Sequence, residues 1–150
     1  MAKQKASAGR EALIEGLNED LAREYQAIIA YVVYSQVLTG AEYMTIAKEL
    51  EVHAGEELQH ALTIARHIDY LGGTPTVTPK PVAPPKDAKQ MLRADLANET
   101  ETIAHYRTRL RQAEAADEFA VAEDLREILR QEQEHQIDLA TALGIDVPRS

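Results

Sequence analysis

The chain has 150 residues, of which 45% are hydrophobic and 5% aromatic, and its formal net charge is −9. This length fits a single domain, 1–150, with a core of its own. The lack of cysteine excludes disulfides and thiolate metal sites. No apolar run has the roughly 20 residues of a membrane helix, and no signal peptide is evident. We therefore expect a cytoplasmic protein.

Four segments have the spacing of apolar residues that is typical of amphipathic helices. In the first of them, Leu13, Leu17 and Leu21 follow one another at four-residue steps. The predicted helices cover about residues 10–38, 42–71, 88–116 and 118–143. Strong helix formers such as Ala, Leu, Glu and Arg dominate the composition. The sequence therefore predicts an all-α protein.

Short polar and glycine-containing segments mark the ends of these helices. Side chains that suit a helix N-terminus precede three of them: Thr39 with Glu42, Asp87 with Gln90, and Asp117. Glycine, which favours a left-handed C-cap, follows the second helix at Gly72 and the fourth at Gly144. These positions set the predicted boundaries.

Residues 72–86 form a proline-rich crossover between the second and third helices, with five prolines from Pro75 to Pro85. Such a segment is extended rather than helical. At about 3.1 Å per residue it reaches roughly 40 Å, which is about the length of a 27-residue helix. A linker between two domains is the alternative, but two helices alone would not bury a good core. One long crossover between two hairpins is typical of a ferritin-like four-helix bundle, which is the predicted fold.

Each predicted helix carries one glutamate within its row of core-facing residues, near its midpoint. On two helices a histidine follows that glutamate by three residues, which places both side chains on one helix face. The six residues are Glu24, Glu57, His60, Glu99, Glu132 and His135. We expect them to converge at one depth of the bundle.

Four ionised carboxylates in a bundle core would be very costly without compensation. Two divalent cations would supply a charge of +4 against −4. This combination, one glutamate from each of two helices and Glu-x-x-His from each of the other two, is typical of di-iron and di-manganese carboxylate proteins. Oxygen and nitrogen ligands suit iron, manganese or zinc, so the sequence predicts two metal ions and leaves their identity open.

On these motifs the chain resembles the bacterioferritin branch of the ferritin-like superfamily and its Dps-like relatives. The segments that carry the resemblance are Leu21-Ala22-Arg23-Glu24-Tyr25-Gln26, Glu56-Glu57-Leu58-Gln59-His60, Ala94-Asp95-Leu96-Ala97-Asn98-Glu99 and Glu132-Gln133-Glu134-His135. The resemblance implies that the six residues are ferroxidase ligands, with Glu57 and Glu132 as bridging carboxylates. It also implies that Tyr31 lies beside a di-iron site, although a core tyrosine with a local hydrogen bond fits its position equally well.

The chain departs from this family pattern in two ways that bear on cofactors and assembly. The family binds haem through a methionine directly after the second helix's glutamate, and here that residue is Leu58, which disfavours haem. The sequence ends at Ser150, soon after the fourth predicted helix. This favours a dimer or a 12-subunit assembly over a 24-subunit cage.

The leading functional hypothesis is a ferroxidase that oxidises Fe²⁺ to Fe³⁺ with O₂ or H₂O₂, for iron storage and detoxification. One alternative is a manganese catalase-like protein that handles peroxide and stores nothing. Another is a Dps-like protein that binds DNA through its basic N-terminal residues Lys3, Lys5 and Arg10, which the charge of −9 disfavours.

Two further features of the second helix remain open. Leu58, Leu62 and Ala65 form an additional apolar row, which predicts a homo-oligomer. His53 and His67 also lie in the core-facing row. His53 is one turn from Glu57, so it is either a residue that supports the metal ligands or their entry route, or a hydrogen-bonded core histidine.

Overall fold

The structure of the protein, a computed structural model, describes residues 2–149. The described chain contains four α-helices: α1 (Ala2–Val37), α2 (Met44–Tyr70), α3 (Ala88–Ala115) and α4 (Phe119–Leu143). A short 3₁₀ helix, Ala41–Tyr43, precedes α2, and residues 2–149 contain no strand. The predicted all-α four-helix bundle is confirmed. Helix α1 begins at Ala2, well before the start expected near residue 10, and the side chains of Lys3 and Lys5 lie outside the described part.

Each helix packs against two neighbours, α1 against α2 and α3, and α4 against α3 and α2. Contacts between the helices fix their directions. Gln36 near the end of α1 bonds to Glu51 near the start of α2, and Arg126 near the start of α4 bonds to Glu114 near the end of α3. Neighbouring helices are therefore antiparallel, as a bundle of two hairpins requires.

The apolar core is divided into two clusters that lie towards opposite ends of the bundle. One contains Leu13, Leu17 and Leu21 with residues from all three other helices. The other contains residues such as Tyr34, Leu50, Leu92 and Leu139. The core-facing glutamates and histidines lie between these clusters, where apolar packing holds their helices in place on both sides.

The crossover between α2 and α3 runs along α1. Successive hydrogen bonds join the two segments: Asn18 to Thr74 and Thr76, Tyr25 to Thr76, Gln26 to Pro81, and Tyr34 to Ala83. Because both sets of residue numbers increase together, the crossover lies parallel to α1 and carries the chain back to the other end of the bundle. No helix within residues 2–149 is long and apolar enough to cross a membrane.

The helix ends agree with the sequence at some positions and differ at others. The Asp87 side chain accepts a bond of 2.9 Å from the Gln90 amide at the start of α3, as predicted. The predicted capping box at Thr39 is wrong. Neither the 3₁₀ helix nor α2 has a side-chain hydrogen bond at its N-cap, and the Thr39 hydroxyl bonds back to the Val37 carbonyl. Asp117 does not cap α4 either, because it adopts a left-handed conformation, φ 58°, at the end of α3.

Candidate metal centre

The six glutamates and histidines of the core-facing rows meet in the middle of the bundle. Each is at most 3% exposed. Their ligand atoms form two groups, and within each group these atoms lie within 4.8 Å of one another. The groups are Glu24, Glu57, His60 and Glu132, and Glu57, Glu99, Glu132 and His135. Glu57 and Glu132 belong to both groups, so the two sites share two carboxylates.

The Nδ1 atom of each histidine points into the cluster. His60 Nδ1 lies 2.7 Å from Glu132 Oε1 and 3.4 Å from Glu57 Oε1. His135 Nδ1 lies 3.0 Å from Glu57 Oε1 and 3.6 Å from Glu99 Oε1. One imidazole therefore faces each half of the cluster, beside the shared carboxylates.

Several of these buried atoms form no hydrogen bond of good geometry among the described residues, although they lie in close contact with one another. They are Glu24 Oε2, Glu57 Oε1, His60 Nδ1, Glu99 Oε2, both oxygens of Glu132, and His135 Nδ1. A buried carboxylate or imidazole atom without a partner costs free energy, and most native structures avoid it. Two cations held by these oxygen and nitrogen atoms would satisfy them, and the donor set suits iron, manganese or zinc.

Burial and neighbouring charges shift the pKa values of three glutamates of the centre. Burial and the charge of Glu57 raise the pKa of Glu24 well above its ordinary value. Burial and the charges of Glu57 and Glu99 raise the pKa of Glu132 likewise. Burial opposes a charge on Glu57 too, but its contacts with His135 and His60 outweigh that effect and hold the pKa of Glu57 well below its usual range.

The two histidines hold protons strongly. Burial disfavours their charged forms, but the carboxylates Glu24 and Glu57 raise the pKa of His60 to about 11. Contacts with Glu57 and Glu99 raise the pKa of His135 to about 11 as well. Protons and divalent cations would therefore compete for the same buried atoms.

The outer nitrogen of each histidine is held by a residue of another helix. His60 Nε2 bonds to Gln131 Oε1 at 2.5 Å, and His135 Nε2 contacts Glu56 Oε1 at 3.4 Å. Such bonds fix the ring orientation and leave Nδ1 free for the centre. Neither partner was predictable from the sequence, because both contacts depend on the register between α2 and α4.

Two tyrosines hold the glutamates that belong to only one group. Tyr31 donates to Glu99 Oε1, and Tyr106 donates to Glu24 Oε1. Burial raises the pKa of both phenols well above the ordinary value, so each stays a donor. Tyr31 lies where the sequence placed it, beside the cluster. Tyr106 was missed, although it follows Glu99 by seven residues, as Tyr31 follows Glu24.

Helix α2 presents three histidines at seven-residue intervals to α4, and each bonds to a residue of α4. His53 Nε2 lies 3.0 Å from Asp138 Oδ2, and His67 Nε2 lies 2.7 Å from Asp124 Oδ2. His60 is the middle member of this series. The His53 ring is also stacked on the ring of His135, with centroids 3.9 Å apart. His53 thus contacts a residue of the centre directly, whereas His67 lies seven residues beyond His60, on the side away from His53.

Comparison with known proteins gives relatives along nearly the whole chain. The profile of the ferritin-like domain family matches residues 14–146. A bacterioferritin of Brucella melitensis is 27% identical over 143 residues, which cover 91% of this chain and 89% of that protein.

Two solved structures resemble the bundle. Ferritin-like, diiron-carboxylate proteins from Bacillus anthracis superpose with a TM-score of 0.87 and 36% identity, covering 90% of this chain and 97% of theirs. A dodecameric thioferritin, the bacterioferritin-related protein from Bacteroides fragilis, superposes with a TM-score of 0.83 and 27% identity, covering 95% and 93%.

Proposed function

The chain belongs to the ferritin-like domain family, and we propose that it is a ferroxidase that oxidises Fe²⁺ to Fe³⁺ with O₂ or H₂O₂. The proposed role is iron storage and detoxification. Its bacterioferritin and bacterial ferritin relatives support this role at the level of the family. The observation that carries the proposal is the pair of overlapping glutamate and histidine groups in the core.

We propose that each subunit holds two iron ions through these six side chains. Glu24 and His60 would hold one ion, and Glu99 and His135 the other. Glu57 and Glu132 would contact both, since they belong to both groups. Two ions held side by side supply two electrons together, which is what the reduction of O₂ to H₂O₂ or of H₂O₂ to water requires.

The protein's own residues prepare this chemistry in three ways. Gln131 and Glu56 hold the outer nitrogens of His60 and His135, which keeps both Nδ1 atoms directed at the centre. The phenols of Tyr31 and Tyr106 hold Glu99 and Glu24 in place. The apolar clusters at both ends exclude bulk water, so electrostatic interactions in the centre are strong.

Subunits are proposed to associate with copies of themselves. Leu58 and Leu62 are 49% and 56% exposed on α2, and Ile29 and Val32 are 40% and 51% exposed on α1. A row of exposed apolar side chains on two adjacent helices favours a protein interface. The dodecameric thioferritin among the structural relatives supports an oligomer.

The proposal is tested by following Fe²⁺ oxidation by O₂ and by H₂O₂ in the wild type and in Glu57→Ala. Removal of a shared carboxylate should lower the oxidation rate at least tenfold. Glu51→Ala removes an exposed glutamate of the same helix and should leave the rate unchanged. Oxidation at the wild-type rate in a folded Glu57→Ala protein would refute the assignment. Oxygen evolution from peroxide by the manganese-loaded protein, without iron oxidation, would favour the catalase-like alternative.

A further inference from the structure

A third group of potential metal ligands lies beside the central cluster, on the α2–α4 face. It consists of Glu49 and His53 of α2 and Asp138 of α4, and one ligand atom from each lies within 4.8 Å of the others. His53 Nε2 is 3.0 Å from Asp138 Oδ2 and 4.0 Å from Glu49 Oε1. One nitrogen and two carboxylates thus face a common point.

This group borders a solvent-accessible cavity of about 280 Å³ between the two helices. The residues that line the cavity are Glu42, Thr45, Ile46, Glu49, Asp138, Thr141 and Ala142. None of these described lining residues is basic, and three are acidic. A concave surface with charge of one sign concentrates ions of the opposite sign, so the cavity favours the approach of cations.

His53 is held rigidly beneath the two carboxylates. Its side chain is fully buried, stacked on His135, and in edge contact with the Tyr31 ring at 5.1 Å between centroids. Nε2 faces the carboxylates, while Nδ1 has no hydrogen-bond partner within the described part of the chain. An imidazole fixed in this manner is a preorganised ligand.

We propose that Glu49, His53 and Asp138 bind a third divalent transition-metal ion, separate from the central pair. Mixed nitrogen and oxygen donors suit first-row divalent ions. The side chains of Glu49 and Asp138 are 45% and 40% exposed, so this ion exchanges with solvent more readily than the buried pair. The inference goes beyond the proposed function, since it holds whether or not the central site oxidises iron.

The chain itself provides a matched control in the His67–Asp124 pair. The contact between these two residues is 2.7 Å, closely similar to that between His53 and Asp138. Here, however, Arg66 Nη2 lies 3.7 Å from Asp124, and a positive charge at that distance opposes cation binding. The His67–Asp124 pair therefore has a cationic neighbour, Arg66, in place of the second carboxylate that Glu49 provides beside His53 and Asp138.

The experiment is equilibrium dialysis of the full chain against Co²⁺, with bound metal counted per chain. The wild type should bind one Co²⁺ more than the double variant Glu49→Gln/Asp138→Asn, and Asp124→Asn should bind as many as the wild type. Glu57→Ala/Glu132→Ala should lose the central ions and keep the third one, which separates this inference from the proposed function. A double variant that is folded, as circular dichroism would show, and that binds as much Co²⁺ as the wild type would overturn the proposal.

Discussion

At the scale of single residues, the chemistry of the centre depends on which atoms hold protons. His60 and His135 each have a pKa of about 11, so both rings are protonated at neutral pH. Glu24 and Glu132 also keep their protons to a higher pH than usual, because of burial and neighbouring negative charge. Metal ligands must be deprotonated, so each cation that binds there would displace protons from these groups.

This competition predicts proton release and a marked pH dependence of metal binding. Loading the centre with Zn²⁺ at pH 7 should release at least two protons per chain, from the histidines, and up to four if both raised carboxyl groups take part. Because all four pKa values are raised, lowering the pH strengthens the protons' competition, and Zn²⁺ affinity should fall between pH 8 and pH 6. Calorimetry in buffers of different ionisation enthalpy measures both effects. Binding without proton release would contradict the assigned charges.

The bond between Gln131 and His60 predicts a second effect at this scale. Gln131→Leu removes the acceptor at His60 Nε2 and should weaken Zn²⁺ binding about 10- to 100-fold, as loss of such supporting bonds does in other metal sites. Gln133→Leu, at an exposed position of the same helix, is the control. Competition with a chromophoric chelator gives both affinities. Equal affinities in the two variants would show that Gln131 does not position the histidine.

The residues of the centre were only partly predictable from the sequence. The six predicted ligands stand out because each places charge in an apolar row, and the structure brings all six together; their role as ligands remains a prediction. Tyr106 was not recognised as a partner of the centre, because a tyrosine in an apolar row is also compatible with an ordinary core residue. The role of Gln131 was not predictable from the sequence. Its partner His60 is on another helix, and the sequence of one helix does not determine its register against another.

At the scale of helices, a glycine and a buried ion pair determine how closely α1 and α3 approach. Arg109 of α3 contacts Asp20 of α1 through Nε at 2.7 Å, and Arg23 contacts the same carboxylate at 2.7 Å. All three side chains are at least nine-tenths buried. A Cβ atom on Gly16 would lie 1.9 Å from Arg109 Nη1. The absence of a side chain at Gly16 is therefore what makes room for the guanidinium.

Substitution of two glycines by alanine should consequently have opposite effects. Gly16→Ala forces Arg109 away from Asp20 and should lower the free energy of unfolding by about 1–3 kcal/mol. Gly55→Ala, within α2, meets no atom within 4 Å among the described residues, and should raise it by about 0.5–1 kcal/mol, because glycine disfavours a helix interior. Urea unfolding monitored by circular dichroism measures both. A Gly16→Ala protein as stable as Gly55→Ala would contradict this view of the crossing.

The helices themselves were easier to predict than their ends. The three- and four-residue spacing of apolar residues identifies an amphipathic helix wherever it occurs, and the all-α class follows from it. Asp117 was misread because aspartate suits both an N-cap and a left-handed position. The structure uses the second property: the amides of Asp117 and Glu118 bond back to Glu114 and Ala113 and end α3 there. The chain's local sequence permits either ending, and the geometry of the α3–α4 turn decides.

At the scale of the whole molecule, the apolar surface of α1 and α2 predicts self-association. Leu62→Arg places a charge within that surface and should convert the wild-type oligomer into smaller species. Val77→Arg, at an 89% exposed position of the crossover, should leave the assembly intact. Size-exclusion chromatography with light scattering gives the molar masses. An unchanged mass for Leu62→Arg would place the interface elsewhere on the subunit.

Anomalous diffraction would show directly whether six side chains in the core hold two metal ions. Crystals soaked anaerobically with Fe²⁺ would be measured on both sides of the iron absorption edge. We expect two iron peaks inside each bundle, one beside Glu24 and His60 and one beside Glu99 and His135, with Glu57 and Glu132 next to both. Iron found only at the protein surface, with no peak between the four helices, would contradict it.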